Sequence, residues 1–250
     1  MSIGEFTTGT VDKELTAIPA LSFLKSLFSL VTLLSSLEGF VLLCLASSGV
    51  YILNDLNDIE SDRLHPTKCK RPIASGQLDV KMARILRFLL LTSSLITAAF
   101  MPITFLVILV AYVVMNLAYS IGLKQAVILD VMIISAGFVL RAVAGAAAIN
   151  AEASTWLVLC TMMLALVVEF GKRRNELELL GDQAESHRQN LALYSVPFLD
   201  PMISVSACAA VMTYALYTLA DETVNRFGTR NLEVTIPFVI YGVFRYMLLL

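Results

Sequence analysis

Residues 37–76 read LEGFVLLCLASSGVYILNDLNDIESDRLHPTKCKRPIASG. The first half is apolar for long enough to cross a bilayer, which takes about 20 residues of helix. The second half crowds six acidic or amide side chains, Asn54, Asp55, Asn57, Asp58, Glu60 and Asp62, against the cations Arg63, Lys68, Lys70 and Arg71. A span that runs straight into so much opposite charge predicts a membrane protein with a polar site where bilayer meets water.

Composition agrees. Of 250 residues, 58% are hydrophobic and only 15% charged, with a mean hydropathy of +0.78, where a soluble domain carries about 25% charged residues. Net charge, −2, identifies no partner, because distribution matters more than the sum. Cys44, Cys69, Cys160 and Cys208 are scattered without metal-type spacing, which argues against a zinc site or a disulfide framework. The N-terminus shows no cationic region followed by a cleavage site, so no signal peptide is read there.

Apolar runs predict spans near 37–54, 83–101, 103–120, 126–149, 155–171, 201–220 and 234–250. A weaker segment, 17–36, contains Pro19 and Lys25. The runs are continuous rather than alternating, and lipid demands internal backbone pairing, so helices are predicted rather than barrel strands. The fold class is therefore all-α, a polytopic bundle of about eight helices. Residues 17–250 read as one transmembrane domain behind an unassigned polar segment, 1–16.

Two hydrophilic loops are expected, 55–82 and 172–198. Lys and Arg concentrate there: Arg63, Lys68, Lys70, Arg71, Lys81, Arg84 and Arg87 around the first, Lys172, Arg173, Arg174 and Arg188 in the second, and Lys124 in a short turn between spans. Threading the spans in order puts all of these on one side, while the connections at 101–103 and 150–154 hold no Lys or Arg. By the positive-inside rule the charged side is cytoplasmic, which predicts a multi-pass protein of the cell (inner) membrane with its site facing the cytoplasm.

Asn54, Asp58 and Asp62 recur at i, i+4 and i+8, so on a helix they form one stripe, with Asp55 beside it. Oxygen ligands at a membrane surface suit Mg²⁺, which takes one or two carboxylates and completes its shell with water and substrate phosphates. Lys68, Lys70 and Arg71 are expected to meet phosphate oxygens rather than neutralise the carboxylates.

The stretch NDLNDIESD, at the end of a span and followed by RPIASG, resembles the first acidic motif of the UbiA-type intramembrane prenyltransferase superfamily. Within it, DRLHPTKCKRPIASG, residues 119–148, FGKRRNELELLG and HRQNLALYSVPFLDPM are most similar to the decaprenyl-phosphate phosphoribosyltransferases, over roughly 37–250. The resemblance implies transfer of 5-phosphoribose from 5-phosphoribosyl 1-diphosphate to a polyprenyl phosphate, with release of diphosphate, and Mg²⁺ as cofactor. It implies that Asn54, Asp58 and Asp62 hold the metal, and that Asp58, Asp62, Lys68 and Arg71 act on the donor. Tyr119, Lys124, Lys172, Arg173 and Glu176 match further substrate-binding positions, to which Arg141 and Arg188 are added as cations able to reach substrate. The second motif is largely basic where aromatic prenyltransferases carry aspartates. No nucleic acid is implied, and a homo-oligomer is compatible. Two alternatives stand: an aromatic prenyltransferase of the same superfamily, and a non-catalytic membrane carrier.

Both ends depart from the resemblance. Residues 1–36 lack the family's opening stretch and the chain stops at FRYMLLL, so a chain short at both ends is expected. Arg141 and Asp130 lie in an apolar segment. A central arginine costs about 2.5–3.5 kcal/mol on insertion scales, so it should face the bundle interior, toward an acid or a substrate. His65, before Pro66, reads as loop-shaping rather than as a general base.

Overall fold

The computed structural model describes residues 30–180 and 191–250. The described residues form nine α-helices: α1 Leu30–Asn57, α2 Ile59–Leu64, α3 Val80–Ala98, α4 Ile103–Ile121, α5 Leu129–Ala148, α6 Thr155–Leu180, α7 Val196–Leu219, α8 Asp221–Phe227 and α9 Ile236–Leu249. Among the described residues six stretches are long and apolar enough to cross a membrane: α1, α4, α5, α6, α7, and α9 with the short 3₁₀ turn before it.

The all-helical, multi-pass reading holds, and its boundaries move. α1 is already helical at Leu30, well before 37, and α6 runs on to Leu180, so Lys172, Arg173 and Arg174 lie on a helix rather than in a loop. α7 starts at Val196, with Pro197 in its first turn and Pro201 inside. A proline that early deletes few ladder bonds, so it does not stop the helix. α3 falls outside the six because Lys81, Arg84 and Arg87 occupy its first turns, although its 19 residues pack along α1. The polar segment 1–16 lies outside the described residues.

Long helices consecutive in the chain run antiparallel. Ser94 Oγ on α3 donates to the Leu42 carbonyl of α1 at 3.0 Å, and Arg173 on α6 pairs with Asp130 near the start of α5. Glycine permits the closest approach: a Cβ at Gly49 would stand 2.7 Å from Leu91 Cγ. With lipid as apolar as the side chains, such small-residue contacts are what bring membrane helices together.

Two apolar clusters meet on α5. One joins α1, α3, α4 and the far end of α5 through Leu42, Ala46, Val50, Phe105, Leu109, Tyr112, Ala144 and Ala148. The other joins the near end of α5 to α6, α7 and α9 through Val131, Val167, Phe170, Leu199, Ile203 and Val243. Large apolar side chains such as Phe88, Phe100, Phe238 and Phe244 remain on the outside, as a bilayer solvent allows. Because the helices alternate in direction, the end of α1, the start of α3, the turn between α4 and α5, and the end of α6 collect at one end of the bundle.

Candidate active site

α1 breaks at Asp58, where φ is −107° and ψ 12°. The ladder continues across the break, with Asp58 N–H donating to the Asn54 carbonyl at 3.0 Å and Asp62 N–H to that of Asp58 at 2.8 Å. The stripe predicted from sequence therefore survives in backbone position, yet its members make three different contacts. Asn54 accepts from the Ser120 hydroxyl. Asp58 pairs with Lys124. Asp62, 4% exposed, receives Arg71, whose single Nη1 also reaches Asp55, both at 2.8 Å.

The expectation that Lys68, Lys70 and Arg71 would be kept for phosphate is met only by Lys70 in the structure, where Lys68 and Arg71, like Lys124, pair with carboxylates. Arg71 bridges Asp55 and Asp62, Lys124 holds Asp58, and Lys68 holds Glu176. At a low-dielectric bundle end this is the physical default, because an uncompensated carboxylate is the costlier arrangement. Lys70 is exposed and stands apart from these pairs.

The second motif extends the site across α6. Glu169, Arg173 and Glu176 fall at i, i+4 and i+7 on one face, with Lys172 at its edge. Lys172 Nζ lies 2.6 Å from Glu169 Oε1. Arg173, 5% exposed, bonds Asp130 through Nε at 3.1 Å and faces Glu176 at 3.5 Å. The motif that reads as largely basic is thus paired acid to base. Arg173 is buried, and it bonds carboxylates rather than standing open to solvent.

His65, buried, accepts the backbone N–H groups of Thr67 and Lys68 at Nδ1, 3.2 and 3.3 Å away. Those bonds make Nδ1 the unprotonated nitrogen. Nε2 then faces Glu176 at 3.7 Å. The imidazole thereby shapes the turn that carries Lys68 and ties the first motif to the second.

Tyr119 is half-buried and contributes to the electrostatic surroundings of Arg173. Arg141 sits apart, deeper in the bundle, with its guanidinium over the rings of Phe138 and Tyr112. Arg188 lies outside the described residues.

The sequence reading missed Tyr194 altogether. Its hydroxyl donates to Asp130 Oδ1 and accepts the N–H of Ile128, both at 2.7 Å. Ile128 has φ 70°, a left-handed conformation that a β-branched residue rarely adopts. Burial, with the bond to Asp130, pushes the Tyr194 phenol above its ordinary range. Asp130 is the one clue available beforehand, as an ionisable group inside an apolar segment; its partners are 43 and 64 residues away in sequence.

Among the described residues no group of three His, Cys, Asp or Glu side chains forms a closed metal cage. The donor chemistry nevertheless suits magnesium. Asp55 and Asp62 direct oxygens at one common point, now taken by a guanidinium nitrogen, and Mg²⁺ needs only one or two carboxylates beside substrate phosphates.

The molecule is an all-helical membrane protein whose polar residues gather at one end of the bundle. It belongs to the UbiA prenyltransferase family, whose model matches residues 15–220, and is a membrane transferase. That match starts upstream of 37, where the motifs place it, so the weak 17–36 segment falls within the family region. A protein of Mycolicibacterium smegmatis named decaprenyl-phosphate phosphoribosyltransferase is 35% identical over 215 residues, 83% of this chain and 67% of that one. Its namesake in Corynebacterium glutamicum is 33% identical over 235 residues, 92% of this chain and 70% of that one. The structure of a UbiA homolog from Archaeoglobus fulgidus bound to GPP and Mg²⁺ superposes with a TM-score of 0.71 at 20% identity, covering 86% of this chain and 75% of that one. At that identity the likeness concerns the fold.

Proposed function

We propose that the chain transfers 5-phosphoribose from 5-phosphoribosyl 1-diphosphate to a polyprenyl phosphate at the cytoplasmic face of the membrane, releasing diphosphate. The observation that carries this reading is the convergence of Lys68, Arg71 and Lys124 on the carboxylates of both motifs at one end of the bundle. The relatives' shared name supports the choice of donor and acceptor.

A polyphosphate entering this end competes for the three cations, each of which gains charge-assisted bonds to phosphate oxygen. The carboxylates they leave are then suited to Mg²⁺, with Asp55, Asp58 and Asp62 as its holders and Asn54 beside them. When bound, the metal supplies further positive charge to the donor diphosphate. An oxygen of the lipid phosphate forms the new bond to ribose C1 as the C1–O bond to diphosphate breaks. The electron pair leaves on diphosphate, where Lys68, Arg71 and Lys124 stabilise it. The attacking phosphomonoester is already anionic near neutral pH, so no general base is needed.

An aromatic prenyltransferase is the second reading. Two features disfavour it: α6 presents Lys172, Arg173 and Glu176 in place of an aspartate motif, and an aromatic acceptor would gain nothing from the cations. The carrier alternative does not fit membership of a transferase family. The test is donor substitution in membranes supplied with Mg²⁺: labelled ribose phosphate should enter the lipid fraction, and a prenyl diphosphate with 4-hydroxybenzoate should yield no product. The opposite pattern rejects the phosphoribosyl reading. For orientation, a thiol placed at Gln77 should react only from the cytoplasm and one at Asn150 only from outside.

A further inference from the structure

Below the charged end, a line of polar side chains descends into the bundle. On α4 it runs Ser120, Asn116, Tyr112, one turn apart; on α1 it runs from Asn54 to Ser47. The two helices meet along it, through Ser120 to Asn54 at the top and Tyr112 to Ser47, 3.0 Å apart, below. At the lower end stands Arg141 of α5.

The surroundings of Arg141 are unusual for a cation inside an apolar segment. Its Nε donates to the Gly137 carbonyl at 3.2 Å. Its guanidinium carbon lies 4.4 Å from the Phe138 ring centroid and 5.7 Å from that of Tyr112. Among the described residues no carboxylate comes within 4.0 Å of it. Both terminal nitrogens, which carry four N–H donors, have no acceptor in the described residues. Aromatic faces attract the charge but do not accept its in-plane N–H groups. Arg173, by contrast, meets Asp130 through Nε and Glu176 through Nη1.

Direction and depth narrow the ligand. Side chains on a helix lean toward its N-terminus, and α5 starts at the charged end, so Arg141 reaches back toward the site. The bond to Gly137 puts its guanidinium seven residues below Asp130, roughly 10 Å along the axis at about 1.5 Å per residue. That level lies within a hydrocarbon layer about 30 Å thick.

We infer that Arg141, with the Tyr112 ring against its guanidinium and the Tyr112 hydroxyl bonded to Ser47, forms a phosphomonoester subsite sunk below the carboxylate cluster, which holds the phosphate of the membrane-borne polyprenyl acceptor. Planar N–H pairs on guanidinium match phosphate oxygens in a bidentate fashion, and the one hydrogen that the Tyr112–Ser47 hydroxyl pair does not share between its members can go to a third oxygen. Phosphoribosyl diphosphate also carries a phosphomonoester, at its 5-position; depth assigns the subsite to the lipid-borne one. The inference rests on the phosphoribosyl reading above, because only there is the acceptor a phosphorylated lipid.

The test measures binding to the purified full chain in nanodiscs, with farnesyl phosphate as lipid probe, farnesol as its uncharged control and ribose 5-phosphate as soluble probe. Wild type should bind farnesyl phosphate well above farnesol. Arg141→Gln should weaken farnesyl phosphate about 10–100-fold, the size expected for charge-assisted bonds, and should abolish the preference over farnesol while leaving ribose 5-phosphate unchanged. Arg141→Lys should recover part of the affinity. Tyr112→Phe, which keeps the ring and removes the hydroxyl, should weaken the lipid probe several-fold and guards against a folding defect in the first variant. Unchanged farnesyl phosphate binding in Arg141→Gln overturns the inference, as does a loss confined to ribose 5-phosphate. If the phosphate preference depends on Arg141 but wild type transfers no ribose phosphate, the subsite stands and the phosphoribosyl reading falls.

Discussion

Two ion-pair clusters lie at the same end of the bundle and are built differently. In the first, Asp58 and Lys124 keep 34% and 23% of their side chains exposed and Arg71 keeps 40%, with only Asp62 beneath it held to 6%. In the second, Asp130 is wholly buried and Arg173 keeps 6%. Half-exposed pairs exchange partners at little cost, because water replaces what is lost. Buried ones do not, since removing one partner strands a charge in low dielectric. The Lys124–Asp58 and Arg71–Asp55 pairs of the first cluster are thus suited to trading carboxylate for phosphate, and the second cluster to holding α5, α6 and the turn at Tyr194 in place beneath them.

Arg173→Ala breaks the comparison hardest. It should destabilise the chain by about 3–5 kcal/mol, the cost of stranding a buried carboxylate, read as a large fall in Tm in detergent. Combining it with Asp130→Asn should restore part of that loss, and full stability in the single variant would show that the second cluster does not brace the fold. Asp58→Asn should do the reverse. Turnover should fall by about 100–1000-fold, as when an electrostatic stabiliser of the reacting groups is removed, with Tm near wild type; near-normal rates in both Asp58→Asn and Asp62→Asn would remove the stripe from the mechanism.

Lys68→Ala should weaken use of the donor by about 10–100-fold, equivalent to about 1.5–3 kcal/mol for a charge-assisted contact, visible in KM for phosphoribosyl diphosphate. An effect on Tm alone would make Lys68 a structural tie to Glu176. Tyr194→Phe is the smallest change, about 1 kcal/mol for a lost hydrogen bond. It also carries a pH signature. The Tyr194 phenol is raised above its ordinary value of 10.0, so its contribution to stability is complete below pH 10 and is lost as pH rises through the folded-state value. Tm measured against pH should decline above pH 10 in wild type and decline less in Tyr194→Phe.

The helical membrane fold could be read in the sequence because lipid removes the alternatives: long apolar runs in hydrocarbon must satisfy their own backbone, and helices do so locally. The first motif was equally open to reading, since Asn54, Asp58 and Asp62 lie within nine consecutive residues whose periodicity survives folding. Pairings between distant residues were not. Glu176 reaches Lys68 across 108 residues, and Lys124 reaches Asp58 across 66. Which cation meets which carboxylate, and that Arg141 meets none among the described residues, depends on how α1, α4, α5 and α6 are set side by side. That packing depends on small-residue contacts such as those of Gly39 against Ala148 and Gly49 against Leu91, which act between helices and leave no local pattern along the chain.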